Sequence, residues 1–180
     1  MFSMIESLGG AATMVKSHSL SIRPAIAGDV PLLNTMIHEL ATFERLEASI
    51  TEETLLRDGF GPRPAFRALI AESQGASAGY ALFFSSYNSF QGRSLFLEDI
   101  YVREPFRGKG IGKAMLARLA AIAQAENCLS ILFHVLDWNA NAINAYRALG
   151  ATLLDEWKVF CLEGRSLEAL AQLGNQETRP

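Results

Sequence analysis

The sequence predicts a mixed α/β (α+β) fold, in which helices cover a central sheet. Three apolar, strand-like runs follow one another between residues 66 and 102, which favours an antiparallel meander. A long amphipathic helix and a further buried strand come next, and this order calls for a parallel pair in the same sheet. We therefore expect a mixed sheet flanked by helices, in the order β-α-α-β-β-β-α-β-α-β.

The first half of the chain supplies a short strand, two helices and the meander. The strand covers 20–24 and ends in a proline. Asp29 is a candidate N-cap with Pro31 in the first turn, and an apolar stripe at three- and four-residue spacing follows. Thr51 begins a shorter helix, which a turn-rich break ends. The meander strands are expected at 66–71, 79–85 and 94–102.

The second half continues the alternation of helices and strands. The long helix begins at Ile111 and closes near residue 126, because Ile111, Met115, Leu119 and Ile122 share one face. A buried strand, a helix that Gly150 stops, a last strand and a final helix should follow. Their expected ranges are 129–135, 139–149, 156–162 and 166–173.

Length and composition indicate one globular domain. Among the 180 residues we expect a flexible N-terminal extension at 1–19, a domain at 20–173 and a tail at 174–180. The net charge of −3 argues against nucleic acid as a partner. No apolar stretch approaches the roughly 20 residues of a membrane span.

The cysteines and histidines are expected to be ordinary residues, with a disulfide between the two cysteines as the alternative. Cys128 and Cys161 lie in apolar surroundings and are expected to be small core residues in a reducing, cytoplasmic compartment. His18, His38 and His134 lack the spacing of metal ligands, so no metal is expected.

The most informative segment lies between the third meander strand and the long helix. Residues 103–112 read REPFRGKGIG. The first N–H groups of a helix lack partners within it, and the helix dipole adds positive potential, so such a place binds anions. Gly108, Gly110 and Gly112 leave the backbone open to a phosphate, and Arg107 and Lys109 add charge. The alternative is a glycine-rich loop with a solvated basic face.

Two known phosphate motifs do not match this segment. The Walker pattern is absent, and the dinucleotide pattern fails because Lys113 stands at the third glycine position, which disfavours a dinucleotide-dependent oxidoreductase. The segment fits Arg-x-x-Gly-x-Gly, the acyl-coenzyme-A signature of GNAT-type N-acetyltransferases, which it resembles. Residues 135–151, VLDWNANAINAYRALGA, are similar to a second motif of that superfamily. The likeness covers about Ile22 to Glu163.

Within the superfamily, the chain resembles diamine acetyltransferases, also called spermidine/spermine acetyltransferases. The likeness implies the GNAT fold, acetyl-CoA as donor, a small primary amine as acceptor and a homodimer. It is carried by Ile22–Ala25, Glu39–Ala41, Asp58–Gly61, Leu97–Asp99, Val102 and Asp137–Asn139.

The resemblance also implies which residues bind the cofactor. Strand backbone would pair with the pantetheine arm, the glycine turn would hold the pyrophosphate, and Asn139 would contact the pantetheine side. For Asn139, a helix N-cap is an equally good interpretation. The cofactor-binding residues are thus Ile100, Tyr101, Val102, Arg107, Gly108, Lys109, Gly110, Ile111, Gly112, Asn139 and Tyr146.

Two residues are carried over as catalytic. The phenol of Tyr146, with an ordinary pKa of about 10, can protonate a leaving thiolate whose thiol has a pKa of roughly 8.5. Glu98 can take the proton from an alkylammonium group, and an N–H near Tyr101 can stabilise the oxyanion. Asp99, next to Glu98 on a strand, should face the opposite, helix-covered side. For Tyr146, the alternative is a helix tyrosine that packs against the sheet. For Glu98, the alternative is a strand carboxylate in an ion pair.

The resemblance also implies an acceptor site, in which three residues differ from those of the polyamine enzymes. Phe43, Asn88 and Phe90 stand where the polyamine enzymes have a tyrosine, an acidic residue and a tryptophan. A shorter diamine or a lysine-like amine therefore fits as well as a polyamine. Trp157 either lines the cavity or packs in the core. A non-catalytic acyl-CoA sensor is the alternative function. The substrate-binding residues are Phe43, Glu44, Asn88, Phe90 and Glu98.

Overall fold

The computed structural model describes residues 20–177, so the predicted extension at 1–19, His18 and residues 178–180 lie outside it. The chain divides into two compact units at His134 and Val135. The first unit holds all five strands found in residues 20–177. Its elements are β1 (Leu20–Pro24), α1 (Val30–Glu44), α2 (Glu52–Phe60), β2 (Arg67–Ser73), β3 (Ala76–Asn88), β4 (Gly92–Val102), α3 (Ile111–Ala125) and β5 (Ser130–Phe133).

The five strands form one mixed sheet in the order β1-β2-β3-β4-β5, which confirms the predicted fold class. Neighbouring strands from β1 to β4 pair antiparallel, as the meander requires. The strands β4 and β5, which flank α3 in sequence, pair parallel. Thr51 caps α2 by accepting a hydrogen bond from the Thr54 N–H at 3.2 Å.

Helices pack on both faces of this sheet. On one face, α3 buries Ile111, Met115 and Leu119 against apolar strand residues. We call this the α3 face. On the other, α1 and α2 bury Leu33, Met36 and Leu55 against strand residues that include two tyrosines. We call this the α1 face. Each buried apolar side chain contributes roughly 1.5–3 kcal/mol of transfer free energy.

The second unit contains two helices, α4 (Ala140–Ala148) and α5 (Gly164–Glu177). The strand predicted at 156–162 is wrong, because that segment is irregular. Its β-favouring side chains are exposed, including Trp157 and Phe160. A strand needs a hydrogen-bonded neighbour, and no strand among the described residues pairs with this segment. The final helix is longer than predicted and runs to Glu177.

Candidate active site

The glycine turn has the backbone geometry of an anion cradle. Gly108 and Gly110 adopt left-handed backbone, with φ of 72° and 77°, which disfavours residues with a Cβ atom. Gly110 is the N-cap of α3, and the first helical bond runs from the Ala114 N–H to the Gly110 carbonyl at 3.0 Å. The N–H groups of residues 111–113 therefore precede the hydrogen-bonded ladder of α3.

Next to this turn, strand β4 has an unpaired edge. The parallel pairing with β5 covers only Ser94–Leu97 of β4, whereas the pairing with β3 continues to Val102. Among the described residues, the stretch 98–102 thus pairs on one side alone. Such an edge presents backbone groups that an extended ligand can pair with. The predicted cofactor residues Ile100, Tyr101 and Val102 all lie on it.

A β-bulge in β4 sets the positions of Glu98 and Asp99, the two adjacent carboxylates of this strand. Leu82 pairs with Asp99 and Phe83 with Leu97, so Glu98 is an extra residue with no partner on β3. Bulges re-aim side chains and are frequent beside active sites. Glu98 is exposed at the bulge, while Asp99 is half-buried on the α1 face. The helix-covered position expected for Asp99 agrees with this placement.

Asp99 is held from inside the sheet by a buried tyrosine. The Tyr80 hydroxyl, in a side chain that is completely buried on β3, donates a hydrogen bond to Asp99 Oδ2 at 2.9 Å. Burial raises the pKa of Asp99, the nearby Glu98 charge raises it further, and the Tyr80 hydrogen bond opposes both effects. Burial and the charge of Asp99 also raise the pKa of Tyr80, so its hydroxyl keeps its proton.

The predicted acceptor residue Glu44 belongs to the same electrostatic group. It is the last residue of α1 and is half-buried. Burial raises the pKa of Glu44, and the charge of Asp99 raises it further, so the two carboxylates repel each other. We call Glu98, Asp99 and Glu44 the carboxylate row, because Asp99 interacts electrostatically with each of the other two.

The basic side chains of the glycine turn fold back onto the first unit. The Arg107 guanidinium lies 4.6 Å from the centre of the Phe43 ring and 5.8 Å from that of Tyr101. Its Nε donates to the Val102 carbonyl at 2.9 Å. Lys109 Nζ donates to the Pro105 carbonyl at 2.9 Å. Arg107 therefore contacts both Val102, a predicted cofactor residue, and Phe43, a predicted acceptor residue.

Two other predicted acceptor residues lie elsewhere in the first unit. Asn88 and Phe90 form the tip of the β3–β4 hairpin, where Asn88 Oδ1 accepts a hydrogen bond from the Phe90 N–H at 2.8 Å. Phe90 is 90% exposed. Gly92, the partner of Asn88, is six residues from Glu98, or about 20 Å at about 3.3 Å per strand residue. Within one chain, the structure does not bring this tip to the carboxylate row.

The predicted site residues of the second unit lie on α4 and after it. Asn139 is the N-cap of α4, and its Oδ1 accepts from the Ala142 N–H at 3.2 Å. Tyr146 is half-buried within α4. Trp157 is 72% exposed, so the interpretation as a core residue is wrong. Cys161 is exposed and also contradicts a core role, whereas Cys128 of the first unit is half-buried; both are free.

Among residues 20–177, no three histidine, cysteine, aspartate or glutamate side chains are grouped so that they could hold a metal ion. None of the helices formed by these residues is long and apolar enough to cross a membrane.

The sequence interpretation missed the Tyr80–Asp99 pair. The two residues are 19 positions apart, and the bulge that turns Asp99 toward α1 depends on the register between two strands. One signal was present: Tyr80 interrupts the run from Gly79 to Phe84, which is otherwise small or apolar, and a buried phenol needs a partner.

Comparison with known proteins agrees with this geometry. The family model described as "Acetyltransferase (GNAT) family" matches residues 33–151. A thialysine N-epsilon-acetyltransferase from Mus musculus is 41% identical over 166 residues, which cover 85% of this chain and 98% of the relative. A spermidine/spermine N(1)-acetyltransferase-like protein 1 from Homo sapiens is 40% identical over 151 residues, which cover 77% of this chain and 22% of the relative.

Solved structures show the same fold. An integron cassette protein from the mobile metagenome of V. cholerae aligns with a TM-score of 0.73 and 23% identity, covering 87% of this chain and 99% of its own. An aminoglycoside N-acetyltransferase in complex with CoA aligns with a TM-score of 0.68 and 18% identity, covering 84% of this chain and 98% of its own.

Proposed function

The chain belongs to the acetyltransferase (GNAT) family and is an acetyl-CoA-dependent N-acetyltransferase, and we propose that its acceptor is a small amine carrying positive charge. Thialysine, spermidine and spermine, which appear in the names of its relatives, are amines of this kind. The carboxylate row of Glu98, Asp99 and Glu44 supplies the negative potential that attracts such an acceptor.

The observation that carries the acetyl-transfer part of this proposal is the unpaired edge of β4 beside the positive-φ glycine turn. The two features fit the two ends of the cofactor. The edge offers backbone groups to an extended, amide-bearing arm, and the start of α3 offers N–H groups to a diphosphate. Acetyl-CoA supplies the activated acetyl group as a thioester. Residues 100–102 and 107–112 would hold it.

The chemistry assigned to this chain's side chains is proton transfer. Glu98, exposed at the bulge, takes a proton from the acceptor ammonium, directly or through a water. Tyr146 Oη supplies a proton to the leaving sulfur. A backbone N–H of β4 near Tyr101 stabilises the negative charge that develops on the acetyl oxygen. The homodimer and the cytoplasmic location stay predictions.

A thiol-release assay with acetyl-CoA tests this function. The wild type should release thiol with thialysine, lysine, putrescine or spermidine. Glu98→Gln and Tyr146→Phe should each lower kcat by about a hundredfold, the scale of losing a general base or acid. Both variants should still bind CoA in calorimetry, because the predicted contacts of the β4 edge and the glycine turn stay intact and Tyr146→Phe removes a single hydroxyl group.

The matched control is Tyr87→Phe, which alters an exposed tyrosine of β3 and should retain wild-type activity. CoA binding without thiol release for any amine would instead establish a non-catalytic acyl-CoA sensor. Full activity in Glu98→Gln would show that another group takes the proton.

A further inference from the structure

The Arg107 guanidinium is held by groups from two elements of the first unit. It lies 4.6 Å from the centre of the Phe43 ring, in the last turn of α1, and 5.8 Å from that of the Tyr101 ring on β4. Both distances are within the roughly 6 Å of an attractive cation–π contact. Its Nε donates to the Val102 carbonyl at 2.9 Å. Two rings and one carbonyl therefore fix an exposed side chain.

These contacts do not neutralise the charge of Arg107. Rings and a carbonyl stabilise a cation but carry no net negative charge. Each arginine–carboxylate ion pair among residues 20–177 engages another arginine, namely Arg23, Arg57, Arg67 or Arg103. A guanidinium that stacks on a ring still presents the N–H groups of its edge, and these bind phosphate oxygens in pairs. Arg107 is therefore held in a form that can bind an anion.

Holding the side chain in advance favours that binding. A free arginine loses much rotamer entropy when it becomes fixed, and contacts made before the ligand arrives reduce this cost of binding. Arg107 directly precedes Gly108 in the turn expected to hold the diphosphate. Val102, its hydrogen-bond partner, ends the β4 edge expected to hold the extended arm. The side chain thus links the two segments that the cofactor would occupy.

The same contact bears on the role of Phe43. The resemblance to the polyamine enzymes implies that this residue contacts the acceptor. The proposed acceptor is a cation, however, and the Arg107 cation lies 4.6 Å from the centre of the Phe43 ring. Two positive charges at one ring repel each other, so an ammonium group would gain little there. The cation–π contact therefore links Phe43 to the cofactor side of the site.

We infer that Phe43 is a positioning residue for the cofactor, which, together with Tyr101, holds the Arg107 guanidinium ready for the diphosphate of acetyl-CoA. Phe43 thereby acts through Arg107 on cofactor affinity and not on the acceptor. The inference rests on the proposed function, because it takes acetyl-CoA as the ligand of the glycine turn.

Three substitutions separate the ring from the charge. Phe43→Leu removes the ring and keeps apolar bulk, Phe43→Tyr keeps a ring, and Arg107→Gln removes the charge. The double variant Phe43→Leu with Arg107→Gln completes the cycle. Leu56→Ala, on α2, is the matched control, since Leu56 is 47% exposed and Phe43 is 40% exposed. Thermal unfolding of each variant verifies that it is folded.

The measurement is the dissociation constant of CoA in calorimetry. Arg107→Gln should weaken binding by about tenfold or more, the scale of lost charge-assisted hydrogen bonds. Phe43→Leu should weaken it by about twofold to fivefold, the scale of one exposed cation–π contact. Phe43→Tyr and the control should bind as the wild type does. Because the ring acts through the guanidinium, Phe43→Leu should cause no further loss in the Arg107→Gln background.

The amine kinetics supply a second readout. At saturating acetyl-CoA, Phe43→Leu should keep the wild-type KM for the amine. A raised KM for the amine with unchanged CoA binding, or losses of CoA affinity that add in the double variant, would overturn the inference and leave the proposed function standing. A wild type that binds no CoA would refute the proposed function, and the inference with it. A non-additive cycle without thiol release for any amine would refute catalysis and support the inference.

Discussion

The two faces of the central sheet are built from different kinds of residue. On the α3 face, the buried residues are all leucine, isoleucine, methionine, phenylalanine or alanine. On the α1 face, the core includes Tyr80 and Tyr101, and Asp99 lies beside them. Both faces bury apolar side chains that stabilise the fold, but the α1 face also holds polar groups whose burial costs stability. Groups that cost stability without a structural return indicate a functional site.

The largest effect is expected from breaking the α3 face. Leu119 is 1% exposed, so Leu119→Ala should lower the free energy of unfolding by about 3 kcal/mol, because a cavity replaces buried side-chain contacts. Urea unfolding measures this change. The neighbouring Arg118→Ala is exposed and should change stability by less than about 0.5 kcal/mol.

That variant also tests whether the faces are independent. If the residues of the α3 face serve stability alone, folded Leu119→Ala should keep the wild-type kcat/KM for the amine acceptor. A changed kcat/KM for the amine at unchanged acetyl-CoA affinity would show that the division between the faces is too simple.

A second prediction concerns an aspartate that is fully paired. The Asp29 carboxylate accepts from Arg23 at 2.7 and 2.9 Å and from the Ile26 N–H at 2.8 Å. The Arg23 hydrogen bonds lower the pKa of Asp29, and burial partly opposes them. Asp29→Asn should therefore cost about 1–2 kcal/mol at pH 7.

The lowered pKa of Asp29 determines how this stability difference changes with pH. Because the folded pKa of Asp29 is lowered, its stabilisation is present above the ordinary carboxyl pKa of about 3.9 and is lost as pH falls through the lower, folded value. The stability difference between the wild type and Asp29→Asn should narrow at acid pH in urea unfolding. A difference that is the same from pH 7 to the acid limit would contradict the charge-based explanation.

Local patterns in the sequence were sufficient for much of the fold. The meander, the glycine turn and the helix that begins at Ile111 follow from periodicity and turn residues within short windows. The apolar residues of the α3 face are predictable for the same reason.

Features that depend on distant partners were not predictable in this way. The bulge at Glu98 is set by the register between β3 and β4, and the Tyr80–Asp99 bond joins residues on both strands. The segment at 156–162 has strand propensity but lacks a strand partner among residues 20–177. Arg107 was expected to contribute only to phosphate binding, but its guanidinium lies over Phe43.

The most direct test of the contrast between the faces is the unfolding free energy of Asp99→Asn as a function of pH. Because burial raises the folded pKa of Asp99, its charge penalises the fold above that pKa, and the penalty vanishes as pH falls to the ordinary carboxyl value of about 3.9. We predict that the variant is more stable than the wild type at pH 7, by roughly 1 kcal/mol, and that this advantage disappears toward pH 4. A variant that is less stable at pH 7, with a deficit that shrinks at acid pH as for Asp29→Asn, would contradict the account.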